Sequence, residues 1–340
     1  MNKVGLGTAF SRSFKEEHIM SNTILGIDVA KKKLDVCLML KGKALMKKFD
    51  NSEKGFKLLA GWLASLHVEM VHACLEATGT YGEPVAEFLH ERGHVVSVVN
   101  PFRIKGFASS DLKRNKTDTA DARTIAEFAR VKAPKAWHPL PAEMKQLQAL
   151  TRRIEALERM LVVETNRLEM APPATRPSIK RMVRNLSKEI ELVQNLIKDH
   201  IDKNPDMKQQ SELLQSIPGI GEKTACLLLG EIEFRSFPSA RSVAAYAGVT
   251  PAKSQSGSSL NRTRLSKLGS GRIRKALYFP AISAVRYNQV VKQFARRLNK
   301  NGKTPMQVIG ASMRKLLHIA YGVIKNNRPF DSNAASAFDC

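Results

Sequence analysis

The first third of the chain alternates between two rhythms of apolar and polar positions. Residues 23–50 contain three short runs, TILGID, LDVCLML and ALMKKFD, rich in Ile, Leu, Val and Phe and parted by Lys and Gly. They read as three consecutive strands. The period then changes: Phe56, Leu59, Leu63 and Leu66 recur at three- and four-residue steps, one face of a helix over 53–66. VHACLEA (71–77) predicts a strand, residues 82–92 a helix, and HVVSVVN (94–100) a further strand. Asp118 to Val131 predicts a helix with Ala122, Ile125, Ala126 and Ala129 on its apolar face. Three strands, a helix, a strand, a helix, a strand and a helix specify an α/β domain with a mixed sheet, in the RNase H-like order.

The middle of the chain keeps a helical period throughout. Leu147, Leu150, Ile154, Leu157 and Leu161 form a heptad seam. Pro172, Pro173 and Pro177 break it, and Ile179, Met182, Leu186, Ile190, Val193 and Ile197 restart it. This predicts an antiparallel helical hairpin, either packed within one chain or serving as an oligomerisation arm. From Ser211 onward the pattern is mainly helical. SIPGIGEKTA (216–225) has the form of a helix-hairpin-helix, in which Gly219, Gly221 and Lys223 would meet a phosphate at a helix N-terminus. The expected boundaries are an extension over 1–22, an α/β domain over 23–140, a coiled-coil hairpin over 141–205, a mainly helical domain over 206–331 and a tail over 332–340. Met20 precedes the first strand and is an alternative start to Met1.

Charge changes the picture more than composition does. Lys and Arg total 55 against 31 Asp and Glu, a net of +24. Residues 251–330 hold 17 Lys or Arg and no Asp or Glu. A solvated surface mixes both signs, so this region points to a polyanionic partner. No apolar run is long enough for a membrane-spanning helix, and the N-terminus lacks the apolar stretch of a secretory signal. Cys37, Cys74, Cys226 and Cys340 form no Cys-x-x-Cys pair, which argues against thiolate zinc and fits a reducing cytoplasm.

Four acids stand where strands end or a helix begins: Asp28 in GIDVAKKKLDV, Glu76 in LEATGTYGEP, and Asp118 and Asp121 in NKTDTADAR. Three-residue spacing puts the last two on one helix face. Two carboxylates about 4 Å apart repel by about 1–4 kcal/mol at dielectrics of roughly 80 to 20, so such a group calls for a cation. Oxygen-only ligands suit Mg2+, or Mn2+. Taken singly, Asp118 or Asp121 also reads as a favourable helix N-terminal acid and Glu76 as a solvated strand end. In QSGSSLNRTRLSK, Arg262, Arg264 and Lys267 would hold a phosphate beside a serine. The residues alone leave Ser256, Ser258 and Ser259 open as nucleophile, and a polar turn as the plain reading.

GIDVAKKKLDV, LEATGTYGEP, NKTDTADAR, SIPGIGEKTA and YAGVTP followed by QSGSSLNRTRLSKLG occur in this order. Together they resemble the DEDD transposases of bacterial insertion sequences, the "one-ten" family of bridge-RNA-guided recombinases, from about Ile24 to Asp331. The resemblance implies an N-terminal domain of the Holliday-junction-resolvase type, with Asp28, Glu76, Asp118 and Asp121 as its metal-binding acids. It implies Ser256 as nucleophile in the C-terminal domain. It further implies donor and target DNA and a structured guide RNA as partners, and a dimer or tetramer with active sites shared between chains. The localisation expected is bacterial cytoplasm at the nucleoid. The competing expectation is a metal-dependent junction nuclease in which water attacks and Ser256 is incidental.

Overall fold

The computed structural model describes residues 23–77, 79–110, 118–256 and 260–332. The expected extension, Cys340 and all but the first residue of the tail lie outside the described residues, as do the side chains of 110–120 and 253–262. The chain divides into two compact units, at residues 139 and 140.

The first unit carries β1 (Ile24–Val29), β2 (Lys33–Leu40), β3 (Lys43–Asp50), α1 (Glu53–Ser65), β4 (His72–Glu76), α2 (Glu83–Glu91), β5 (Val95–Val99), α3 (Pro101–Ser110) and α4 (Asp118–Lys132). The five strands lie in the order β3-β2-β1-β4-β5. β1 to β3 are antiparallel neighbours, while β4 and β5 run parallel to β1. This is the RNase H-like fold. Successive side chains of a strand face opposite ways, and the sheet is covered on both sides except at its exposed edge strand β3. Leu25, Ile27, Val36, Ala73, Leu75 and Val96 pack with Phe56, Leu59 and Leu63 of α1 and Val85, Ala86 and Leu89 of α2. Ile24, Cys37, Cys74 and Val99 pack on the other side with Ile104 of α3 and Ala122, Ile125, Ala126 and Phe128 of α4.

The strand and helix expectations hold to within a residue or two. Helix α3 is an addition: PFRIKGFASS lacks a clean apolar period, but the Asn100 Oδ1 accepts from the Phe102 amide at 2.9 Å, and Pro101 follows at the first helical position, where its missing N–H costs nothing.

The second unit holds α5 (Ala142–Met170), α6 (Arg176–Asp202), α7 (Pro205–Gln215), α8 (Glu222–Glu231), α9 (Ala240–Tyr246), β6 (Pro251–Ser256), β7 (Leu260–Leu265), α10 (Gly271–Ala276), α11 (Tyr278–Tyr287), α12 (Gln289–Lys300) and α13 (Pro305–Asn326). α5 and α6 form the antiparallel hairpin. Its seam is buried only near the base. There Leu147, Ile154, Leu157, Val193 and Ile197 join one cluster with Leu214 of α7, Leu228 of α8 and Leu317 of α13. Toward the tip Val163, Met170 and Met182 are exposed. Pro177 does not interrupt the hairpin. It sits in the first turn of α6, and the break falls over residues 171–175. The β6–β7 ribbon was not legible in the sequence, because KSQSGSSLNRT has no apolar alternation.

Candidate active site and nucleic-acid interface

The sheet register sets the acidic residues. β1 and β4 pair in parallel, with Gly26 opposite Cys74 and Ile27 opposite Leu75. The same offset brings Asp28 level with Glu76, the last residue of β4. By strand parity both lie on the face that α4 covers. α4 approaches so closely because of Gly26: a Cβ there would meet the Ala122 carbonyl oxygen and the Ala126 amide nitrogen of α4. Asp118 opens this helix and Asp121 lies one turn later, half-buried. Three chain segments therefore bring acids to the carboxyl ends of β1 and β4. The Asp118 side chain lies outside the described residues.

Two residues hold this end of the sheet together without having stood out in the sequence. The Asn51 side-chain amide donates to the Ala30 carbonyl at 2.9 Å and the Tyr81 carbonyl at 3.1 Å. It thereby ties the turn after Asp28 to the turn after Glu76. Asp35 is the cross-strand partner of Asp28 and is buried; the ammonium groups of Lys33 and Lys48 stand 3.2 and 3.3 Å from its carboxylate. Its Oδ1 makes no hydrogen bond and faces only the Lys48 charge. Asn51 reads in sequence as an ordinary turn residue, and Asp35 as one acid in a lysine-rich stretch. Only the register shows what each touches.

The thiols beneath α4 are inert. Burial pushes Cys74 up to about 12, against the pull of Arg103, and raises Cys37 as well. Both are buried and free of any disulfide.

In the second unit, Ser256 ends β6, paired with Leu260, while Ser254 faces Arg262 and Ala252 faces Arg264. Ser258 and Ser259 fall outside the described residues, between the two strands. The root of this ribbon is fixed by the Ser266 amide donating to the Thr250 carbonyl at 2.8 Å. Leu265 packs over Gly310 of α13. Arg264 and Lys267 are exposed.

The helix-hairpin-helix residues divide. Gly219, at φ +107°, is held against α11, where a Cβ would meet Ala284 and the Pro280 carbonyl. Its glycine is thus required by packing. Gly221 is open. Lys223 is exposed but ion-paired with Glu158 of α5. Nor is every cation of the basic stretch free: Arg272 meets Glu155 and Glu231, each at 3.3 Å, and Arg152 meets Glu231 at 3.5 Å. Burial raises the Glu231 carboxyl, with Arg272 and Arg152 opposing. This group, with only Glu231 buried, joins α5, α8 and α10. A cleft of about 300 Å³ between α5, α6 and α8 is lined by Lys223 but by none of the four acids.

Two family models match the chain: a DEDD transposase of the IS110 type over residues 25–171, and a transposase of the IS116/IS110/IS902 family over residues 211–296. A pilin gene-inverting protein of Moraxella bovis is 36% identical over 318 residues, covering 92% of this chain and 98% of that protein. The chain belongs to the IS110 family of transposases. Another relative, the transposase for insertion sequence element IS1328 of Yersinia enterocolitica, is 25% identical over 288 residues, 75% of this chain and 81% of that protein. Among solved structures, T. thermophilus RuvC in complex with a Holliday junction substrate aligns with 34% of the chain and 99% of its own at 16% identity. The TM-score is 0.26.

Membership in a DEDD transposase family implies DNA cleavage supported by a divalent metal ion. The donor set suits one: Asp28, Glu76 and Asp121 offer only carboxylate oxygen, the chemistry of hard cations. Among the described residues no three such groups stand close enough to form a finished metal cage. Asp118, the fourth acid expected from the sequence, has its side chain outside the described residues. No helix among the described residues is long and apolar enough to cross a membrane.

Proposed function

We propose that this transposase cuts and rejoins two DNA sites by attack of Ser256, with Asp28, Glu76, Asp118 and Asp121 holding Mg2+ or Mn2+, and that a structured guide RNA selects the sites. The observation that carries the reading is the convergence of Asp28, Glu76 and the N-terminus of α4 at one end of an RNase H-like sheet, in a chain whose other unit carries a serine at the end of a basic ribbon. The metal, when bound, would offset charge building on a phosphate oxygen. The Ser256 hydroxyl would form an Oγ–P bond as one P–O bond of the strand breaks. The hydroxyl proton leaves to solvent, and the departing deoxyribose oxygen takes one up. Attack by a hydroxyl of the other DNA reverses these bonds and restores the serine. Arg264 and Lys267, exposed beyond Ser256, supply positive charge for the phosphate.

Donor DNA, target DNA and guide RNA are the polyanions that the C-terminal charge would serve, in the bacterial cytoplasm at the nucleoid. The exposed apolar residues toward the hairpin tip, Val163, Met170 and Met182 among them, support assembly into a dimer or tetramer through the arm. The Moraxella relative is named for inverting a pilin gene; inversion needs the same cutting and rejoining, so site-specific inversion falls within the same chemistry.

The deciding experiment traps the reaction on DNA whose rejoining is blocked. Wild type should accumulate a covalent protein–DNA species and Ser256→Ala none, with RNA and DNA binding retained. The same adduct from Ser256→Ala would move the nucleophile to Ser258 or Ser259. No adduct from wild type would favour water attack, as in a junction nuclease.

A further inference from the structure

We propose that the outer face of α11 is a stacking platform for an unpaired nucleic-acid strand. The inference rests on the reading of the C-terminal unit as nucleic-acid-binding and specifies what this helix contributes. α11 buries Pro280, Ala281 and Ala284. Beside that buried stripe Phe279 is 75% and Tyr287 is 74% exposed. Large aromatic rings this open are unusual in a folded unit that has a well-filled core, and here they are spaced in register: Phe279, Ser283 and Tyr287 follow at i, i+4 and i+8 along one helical face. Eight residues rise about 12 Å along a helix, so the two rings cannot cover each other. The small Ser283 lies between them; the Phe279 ring meets that of Tyr278 edge-on at 5.3 Å between centroids and stays largely exposed.

The surroundings name the occupant. Arg286 is exposed on the same helix, next to Tyr287 in the chain, Lys275 and Lys292 are exposed on the helices that precede and follow it, and no acid occurs between residues 251 and 330. Aromatic rings interleaved with cations are the elements of a single-strand groove: the rings take bases and the cations take phosphates. A duplex keeps its base faces covered and gains only from the charges. A second copy of the chain fits the face poorly. Two aromatic side chains bury roughly 150–250 Å² each, well short of the about 800 Å² per partner of a stable interface, and the positive rims would repel.

The test uses full-length protein and fluorescence anisotropy with three labelled probes at one salt concentration: a short oligothymidylate, an abasic strand of equal length, and a duplex. Phe279→Ala and Tyr287→Ala should each weaken oligothymidylate binding by about 10-fold or more, leave the abasic strand and the duplex within about twofold, and leave the melting temperature unchanged. Phe279→Trp should retain wild-type affinity. Equal losses on all three probes, or no loss on oligothymidylate, would overturn the platform. So would an altered oligomeric state, or a selective loss of binding to phosphatidylserine vesicles. Wild type that binds none of the three probes would overturn the nucleic-acid reading of the basic unit itself, and the platform with it.

Discussion

Gly26 of β1 lies directly beneath Ala122 of α4: a Cβ on the glycine would stand 2.3 Å from the Ala122 carbonyl oxygen and 2.5 Å from the Ala126 amide nitrogen. Both are backbone atoms, so no side-chain rotation relieves the clash. The contact sets the height of α4 above the sheet at the strand position two residues before Asp28. Asp121 immediately precedes Ala122, so the same contact sets where Asp121 stands.

Gly26→Ala should therefore act on the acids while changing none of them. We expect destabilisation of about 1–3 kcal/mol from overpacking and loss of DNA cleavage even under conditions where the variant stays folded. Urea denaturation and a cleavage assay on the same preparation check this. Full activity with unchanged stability would show that α4 can move without consequence.

Shared active sites are tested by mixing two inactive variants. Asp28→Ala and Ser256→Ala should each abolish strand exchange alone. If Ser256 of one chain serves the acids of another, some mixed assemblies join an intact acidic set to an intact serine, and cleavage returns. A mixture as inactive as its components places both in the same chain.

Nucleic-acid affinity should depend steeply on salt. Neutralising roughly six to ten phosphates would cost a factor of about 10³–10⁵ in binding between about 50 and 200 mM salt. Arg272 should contribute nothing to that slope, because its charge is already met by Glu155 and Glu231. A titration of a labelled duplex across this range measures the slope; a flat response would remove the electrostatic case.

His318 of α13 gives the fold a pH dependence. Burial, then Arg314, Lys315 and Arg241, push its pKa from 6.5 down to about 4, and the Arg314 Nε donates to its Nε2 at 3.4 Å. The folded imidazole stays neutral where the unfolded one protonates. Stability is thus fully present above pH 6.5 and lost as pH falls toward about 4, by on the order of 3 kcal/mol at most. His318→Gln removes this titration, so its urea midpoint should fall less than wild type's between pH 7 and 4.5.

What the sequence revealed and what it hid follow from range. The strands, α1, α2 and α4 were legible because burial on one or two faces writes a local period. The acids were legible because Asp28 and Glu76 end such runs and Asp118 and Asp121 begin one. Asn51 was hidden because its work is to join Ala30 to Tyr81, a relation between distant loops. The β6–β7 ribbon was hidden because its strands are polar throughout. Gly219 was legible as a turn glycine, but its packing against α11, which leaves no room for a side chain, was not.

The acid-free run of helices α10 to α13 also bears on how the protein behaves when purified. These helices contribute no acid of their own, so the folded chain stores self-repulsion that a bound polyanion relieves. A ligand that binds only the folded state adds about 2.7 kcal/mol at a concentration 100 times its dissociation constant. Preparations stripped of nucleic acid should accordingly melt lower than those that carry it, and two batches of one sequence will differ in apparent stability by what they carried out of the cell.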